Sequence, residues 1–274
     1  MKVIAIANQK GGVGKTSTAV NLGAGLAKNG RDVLLIDLDA QANLTMSMGH
    51  QNPDGIVFTI SDILKKIVDE KPINPAEGII PCPNGVDLMP SNIQLSGYET
   101  LLINEYGRER ILKQYIDSVK INYDYILIDC QPSLNILTVN ALVAADSVLI
   151  PTQPQYFSAA GLQMLFQTIS KVKSKMNPDL QIEGVLVTMM DKRPNFTKEL
   201  VMRLRESYGS VVNVFETEIP TSIRMTESGS RGQDIFTYDP KGKVAEAYEQ
   251  LAKEVLNNEG REERCKKRSV DAVR

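Results

Sequence analysis

The chain has 274 residues, 42% of them hydrophobic and 23% charged, with a formal net charge of −2. That length suffices for one full α/β core, and the near-neutral balance excludes nucleic-acid attraction by global charge, leaving a local basic patch as the only route. The three cysteines, Cys82, Cys130 and Cys265, are odd in number and far apart, which excludes a disulfide framework or a CxxC metal pair and fits a reducing compartment.

In chain order, the apolar run "VIAIA" at 3–7 reads as a strand too short for a signal peptide or a membrane span. A glycine-rich turn follows, then a helix-period stretch over Thr16–Asn29, with Ala19, Leu22 and Leu26 on one face and Gly30 as the stop. "VLLID" at 33–37 is the next strand. The segment 50–95 is proline-rich, and its "PNGVDLMPS" reads as a turn between short strands; lacking an apolar face of its own, it is expected to be an insertion on the same domain. "YILID" at 125–129, "SVLIPT" at 147–152 and "GVLVTM" at 184–189 complete the strand list. Their apolar residues are continuous, as in strands buried on both faces. Strands alternating with helical stretches predict an α/β fold, a doubly wound, mostly parallel sheet with helices on both faces. One domain is expected over 1–258. The tail 259–274, with six basic and three acidic side chains from Arg261 onward, is expected to be flexible. No stretch reaches the apolar length of a membrane span, so a soluble, cytoplasmic protein is expected.

The turn is "NQKGGVGKTST", residues 8–18. A strand, a glycine-rich turn and a helix opening at Lys15-Thr16 form the context of a phosphate loop. Gly11, Gly12 and Gly14 leave backbone N–H groups to surround phosphate oxygens along the run through Val13 to Ser17, and the helix start adds partial positive charge. Lys15 suits the outer phosphates and the Thr16 hydroxyl suits Mg²⁺. Asp37 and Asp39 in "LLIDLDAQ", and Asp129 in "YILIDCQPS", end apolar strands where open α/β sheets hold ligands. Taken singly, each also reads, less readily, as a turn or helix cap. By position alone Lys10 reads as a solvated surface lysine.

The first glycine of the common pattern GxxxxGK[ST] would fall at Gln9, and a second lysine, Lys10, precedes the loop. With KGGVGKT, DLDAQ and DCQPS together, the chain resembles the ParA/MinD family of nucleotide-switch ATPases. The resemblance implies a phosphate-loop fold that hydrolyses ATP with Mg²⁺. It implies that Lys10 reaches into the site of a second protomer, so that an ATP-dependent homodimer sandwiches two nucleotides. Asp39 matches the aspartate needed for hydrolysis, near the metal; Asp37 is its neighbour close to metal and attacking water; Asp129 holds the metal through water. "GVLVTMMDKR" and "TEIPTSIRMTES" look like the segments that close over adenine, with Met189 and Pro220 against the base. Ala40 and Gln131 stand where prolines are usual, Gln155 and Ala160 replace glutamates, and Thr221 replaces an arginine.

Such a dimer needs a cargo. The tail after Glu259 has too few bulky apolar residues for a membrane anchor. Basic residues cluster at Lys192, Arg193, Lys198, Arg203 and Arg205 and again at Arg224 and Arg231. A solvated helix face also looks basic, but Arg193 and Arg224 match positions that bind DNA nonspecifically in the family. The resemblance thus implies a DNA partitioning ATPase of the ParA/Soj type, nucleoid-associated, released from DNA when a ParB-like partner stimulates hydrolysis. A MinD-like factor positioning membrane or protein cargo is the alternative, and a cluster carrier using bridging cysteines is a third reading.

Overall fold

The computed structural model describes residues 1–102, 105–154, 159–191, 195–209 and 212–271, with the backbone alone described for 159–161, 195–198, 207 and 259–271. Strands β1 (Lys2–Ile6), β2 (Val33–Leu38), β3 (Ile80–Pro81), β4 (Val86–Met89), β5 (Tyr125–Cys130), β6 (Ser147–Thr152), β7 (Gln181–Met190) and β8 (Val214–Pro220) form one sheet in the order β3-β4-β2-β5-β1-β6-β7-β8. β3 runs antiparallel to β4, and the other pairings are parallel.

The helices are α1 (Lys15–Lys28), α2 (Asn43–Ser47), α3 (Ile60–Val68), α4 (Leu95–Leu102), α5 (Ile111–Val119), α6 (Ile136–Ala144), α7 (Ala159–Lys175), α8 (Asn195–Tyr208), α9 (Ile223–Ser230), α10 (Ile235–Tyr238) and α11 (Lys243–Asp271). Alternation along β1 divides the core: Val3 and Ala5 join one cluster, Ile4 and Ile6 the other. The first cluster packs residues of α3 to α8 against the sheet; the second packs α1, α2, α10 and α11 against the opposite face. This is the predicted doubly wound sheet, and β1 lies between β5 and β6, where the order of connection reverses. Such a switch point opens a crevice at the carboxyl ends of the strands. α1 ends as predicted: Gly30 takes φ 75, and Arg31 N donates to the Leu26 carbonyl at 3.2 Å, the closing bond of a glycine-terminated helix.

Two segments carry more regular structure than their composition suggests. Within 50–95, β4 pairs with β2 in the main sheet and α3 buries Ile60, Ile63 and Leu64 in the shared core. That helix is set by a capping box, Thr59 with Asp62, which the proline count obscures. The tail is helical to Asp271 as the end of α11. Glu262 and Glu263 stand four residues before Lys266 and Lys267, a spacing that supports helix despite the scarcity of apolar residues. Among the described residues, no helix is long and apolar enough to cross a membrane.

Candidate nucleotide site

α1 begins without a side-chain cap. Its cap residue is Gly14 in the left-handed region at φ 85, and no acidic residue sits in its first turn. The helix therefore presents its positive end, and its first N–H groups, to whatever occupies the loop. Gly12 is also left-handed, at φ 73. A side chain at either position would strain the backbone by about 1–2 kcal/mol.

Neighbouring strands hold the loop. Asn8 Nδ2 donates to the Pro151 carbonyl at 2.8 Å, and Asn8 Oδ1 accepts from Lys10 N at 3.1 Å. Gln153, just past β6, donates to the Gly12 carbonyl at 2.6 Å and also touches the Met189 sulfur. Thr188 on β7 donates to the Val13 carbonyl at 2.8 Å. The sequence alone does not single out Gln153 and Thr188. Both are polar residues closing an apolar strand, the same signal that identifies the aspartates.

Lys15 is only 7% exposed, and its Nζ donates to the Lys10 carbonyl at 3.1 Å. Burial pulls its amine below the usual lysine range, opposed by the charges of Asp129, Cys130 and Asp39. Lys10 itself is half-buried on the loop ahead of Gly11. Ser17, in the first turn of α1, accepts from the buried Asn21 at 2.7 Å through its carbonyl.

Three carboxylates meet at the ends of β2 and β5. Asp37 and Asp129 are register partners across the two strands. Thr16 Oγ1 donates to Asp129 Oδ2 at 2.7 Å, while Asp129 Oδ1 is buried without a hydrogen-bond partner. Burial, then the charge of Asp37, pushes the Asp129 carboxyl up to about 8; Thr16 and Lys15 pull the other way. Asp37 has 0% exposure, and both of its oxygens are engaged: Oδ2 accepts from Thr45 N at 2.8 Å and Thr45 Oγ1 at 2.7 Å, Oδ1 from Asp39 N at 3.2 Å. Burial pushes it up to about 7 against the pull of those bonds. Asp39 is half-exposed and accepts from Gln41 N at 3.0 Å.

This donor set suits a hydrated Mg²⁺ on a polyphosphate. Such an ion takes one or two carboxylates and a hydroxyl, its remaining positions filled by water and phosphate oxygens. Asp129 offers an orphaned oxygen and Thr16 a hydroxyl beside it. Among the described residues no group of three or more His, Cys, Asp and Glu side chains could by itself hold a metal ion, so phosphate oxygens and water would have to complete the set.

Met189 is 39% exposed with φ 51 at the end of β7, and its neighbour Met190 pairs with Pro220 at the end of β8. Both therefore lie on the carboxyl edge of the sheet that carries the phosphate loop. Beside them an open cavity of about 610 Å³ is lined by Met190, Pro220 and Thr221 and by Lys243 and Glu246 of α11.

Of the expected DNA contacts, Lys192, Arg193 and the Lys198 side chain lie outside the described residues, as do Gln155 and the side chain of Ala160. Arg203 is exposed on α8, whereas Arg205 turns inward to donate to the Phe215 carbonyl at 3.0 Å. Arg224 and Arg231 both lie over the Tyr238 ring, 5.9 Å and 5.3 Å from its centroid. Glu227 accepts from the Tyr238 hydroxyl at 2.8 Å and pairs with Arg224 at 3.6 Å. Tyr238 gives no sequence signal, since only folding brings α10 against α9.

A family model described as an AAA domain matches residues 1–182. The chain is 45% identical over 257 residues to the sporulation initiation inhibitor protein Soj of Bacillus subtilis, covering 94% of this chain and 99% of Soj. It is 40% identical to the chromosome partitioning protein ParA of Caulobacter vibrioides, covering 94% and 95%. Among solved structures, cobyrinic acid a,c-diamide synthase of Mycobacterium smegmatis with bound ATP analogue and magnesium superposes with a TM-score of 0.81 at 34% identity, covering 93% and 94%. With its lysine-flanked phosphate loop and strand-end aspartates, and at these identities over nearly its whole length, the chain belongs to the ParA/MinD family of phosphate-loop ATPases, with Soj and ParA among its relatives.

Proposed function

We propose that this ATPase is a DNA partitioning switch: with Mg²⁺-ATP bound it forms a sandwich homodimer that holds DNA without sequence preference, and hydrolysis, stimulated by a ParB-like partner, releases it. The observation that carries the proposal is the bond from Lys15 Nζ to the Lys10 carbonyl. An arriving nucleotide phosphate competes for Lys15, so the Lys10 carbonyl gives up this bond while the Lys10 N–H stays on Asn8 Oδ1. Nucleotide binding then changes the setting of Lys10, a cation suited to a second protomer's γ-phosphate.

Within the site, Gly11 to Ser17 cradle the phosphates, Lys15 neutralises the outer ones, and Thr16 with Asp129 holds the metal. When bound, Mg²⁺ neutralises charge on the β- and γ-phosphate oxygens. Asp39, near the metal and half-exposed beside Lys15, orients the attacking water. Asp37 is fully buried beneath Thr45, and its role is to fix the turn that carries Asp39. Lys10 adds charge stabilisation from across the dimer. Met189 and Pro220 pack against adenine.

DNA binding is supported by the pairing of Arg224 and Arg231 on Tyr238, which keeps two guanidinium groups together on an exposed face. Dimerisation doubles such contacts, converting weak attachment to firm attachment. The synthase neighbour illustrates that this fold serves more than one chemistry, so cargo has to be tested directly. The test is DNA binding by the full chain with ADP, ATP and a slowly hydrolysed analogue. Binding should appear with ATP and the analogue and fall with salt. Arg224→Ala/Arg231→Ala should weaken it for every sequence, reducing the salt slope by roughly 1 for each phosphate no longer neutralised. Equal binding with ADP and ATP contradicts the switch. Intact ATPase with no DNA binding favours a MinD-like cargo.

A further inference from the structure

The loop at 131–135, between β5 and α6, makes polar contacts that the phosphate chemistry does not use. Glu99 reaches it from α4. Its Oε1 accepts from Gln131 Nε2 and from Asn135 Nδ2, each at 2.5 Å. Asn135 meanwhile caps α6, its Oδ1 accepting from Thr138 N at 3.3 Å. Serine or aspartate would cap that helix as well. Asparagine alone among the good caps also carries an amide N–H to donate outward.

The other side of the loop leans on the phosphate site. A β-carbon built at Gly11 would stand 3.9 Å from Pro132 Cβ. Asp129, with its orphaned oxygen, lies two residues before Gln131. α4 is a firm anchor, since Leu95 and Leu102 are buried in the core. A carboxylate accepting two N–H groups makes charge-assisted bonds, stronger than neutral ones. One oxygen thus ties both ends of a five-residue loop to a helix outside the nucleotide motifs.

We propose that Glu99 is a positioning residue for ATP hydrolysis: it fixes the 131–135 loop against the phosphate loop and holds Asp129 in register with Thr16. This rests on the nucleotide-site reading above. A plain structural tie for α4 would stabilise the fold without affecting the chemical step. Loss of a positioning role instead lowers the rate of hydrolysis while ADP, whose phosphate and base contacts lie outside the 131–135 loop, binds as before.

Three variants of the full chain separate these roles: Glu99→Ala, Asn135→Asp, and the swap Glu99→Gln/Asn135→Asp. Asn135→Asp keeps the cap but sets two carboxylates face to face. In the swap, the new glutamine's amide nitrogen takes the place of Oε1 and donates both to the new aspartate and to the oxygen of a flipped Gln131 amide, so both bonds return with their direction reversed. Glu99→Ala and Asn135→Asp should each lower single-turnover ATP hydrolysis by about 10- to 100-fold, the cost of a misplaced catalytic geometry. ADP affinity should stay within about twofold, less than the loss of one typical hydrogen bond would change it. In nucleotide-free protein, amide deuterium exchange over 131–138 should speed up in both single variants and slow again in the swap, with most of the rate restored. Wild-type hydrolysis by Glu99→Ala, or a swap no better than Asn135→Asp alone, overturns the proposal. Failure of the wild type to bind ADP would instead overturn the nucleotide-site reading.

Discussion

Asp37 and Asp39 are two residues apart in "DLDAQ", yet they meet different surroundings because the chain leaves the sheet after Leu38. Asp37 stays inside the strand and is sealed by Thr45, whose hydroxyl also accepts from Ser91 N at 3.0 Å. Asp39 sits in the turn beyond. Burial holds the Asp37 carboxyl at about 7 against 3.8 when unfolded. Folding therefore takes up a proton between those values. The stability linked to Asp37 is full below about pH 4, falls as pH rises through 7, and is flat above. The span is roughly 4 kcal/mol at most, from about 3 units at 1.36 kcal/mol each. Asp37→Asn should flatten this decline when nucleotide-free protein is denatured by urea from pH 5 to pH 8; an unchanged slope would show that Asp37 stays ionised throughout. The sequence marks Asp37 as a site residue but cannot reveal that Thr45 and Ser91 enclose it, because those contacts span separate elements.

At the scale of elements, continuous apolar runs identify β1, β2, β5, β6 and β7, since a strand buried on both faces cannot hide its composition. β8, "VFETEIP", reads in sequence only as a base-covering segment. Its burial is interrupted at Glu216, Thr217 and Glu218, as an edge strand permits. β4 and α3 escape a reading by composition because the prolines around them mask one short buried strand and one capped helix. The phosphate loop itself is legible in full, but its supports are not: Thr188 and Gln153 reach it from β7 and β6, about 140 to 175 residues along the chain. Thr188 is 3% exposed, so Thr188→Val leaves the Val13 carbonyl short of its partner with little change in volume. ADP affinity measured by calorimetry should fall about fivefold, or about 1 kcal/mol, at unchanged α-helical circular dichroism. Unchanged affinity would mean that the loop keeps its shape without β7.

For the whole molecule, the nucleotide helix and the basic segment share a support. Buried Asn21 on α1 donates to the Ser17 carbonyl at 2.7 Å and accepts from Ile235 N at 2.7 Å, tying the phosphate-loop helix to α10 and thus to Tyr238. This gives the nucleotide and the arginines a common mechanical frame, although the net charge of −2 offers no general attraction to DNA. The family, the fold class and the phosphate loop are readable from one chain because each rests on local pattern. The proposed dimer would rest on a surface that closes only with a second copy, so a single chain carries it only through the resemblance of its lysine-flanked loop. Sedimentation velocity of Asp39→Ala, with and without the added change Lys10→Ala, tests the central claim most directly. With Mg²⁺-ATP, Asp39→Ala should sediment as a dimer and with ADP as a monomer, and Lys10→Ala should return the ATP-bound protein to monomer. A species of the same size in ATP and ADP, or an ATP dimer indifferent to loss of Lys10, would contradict it.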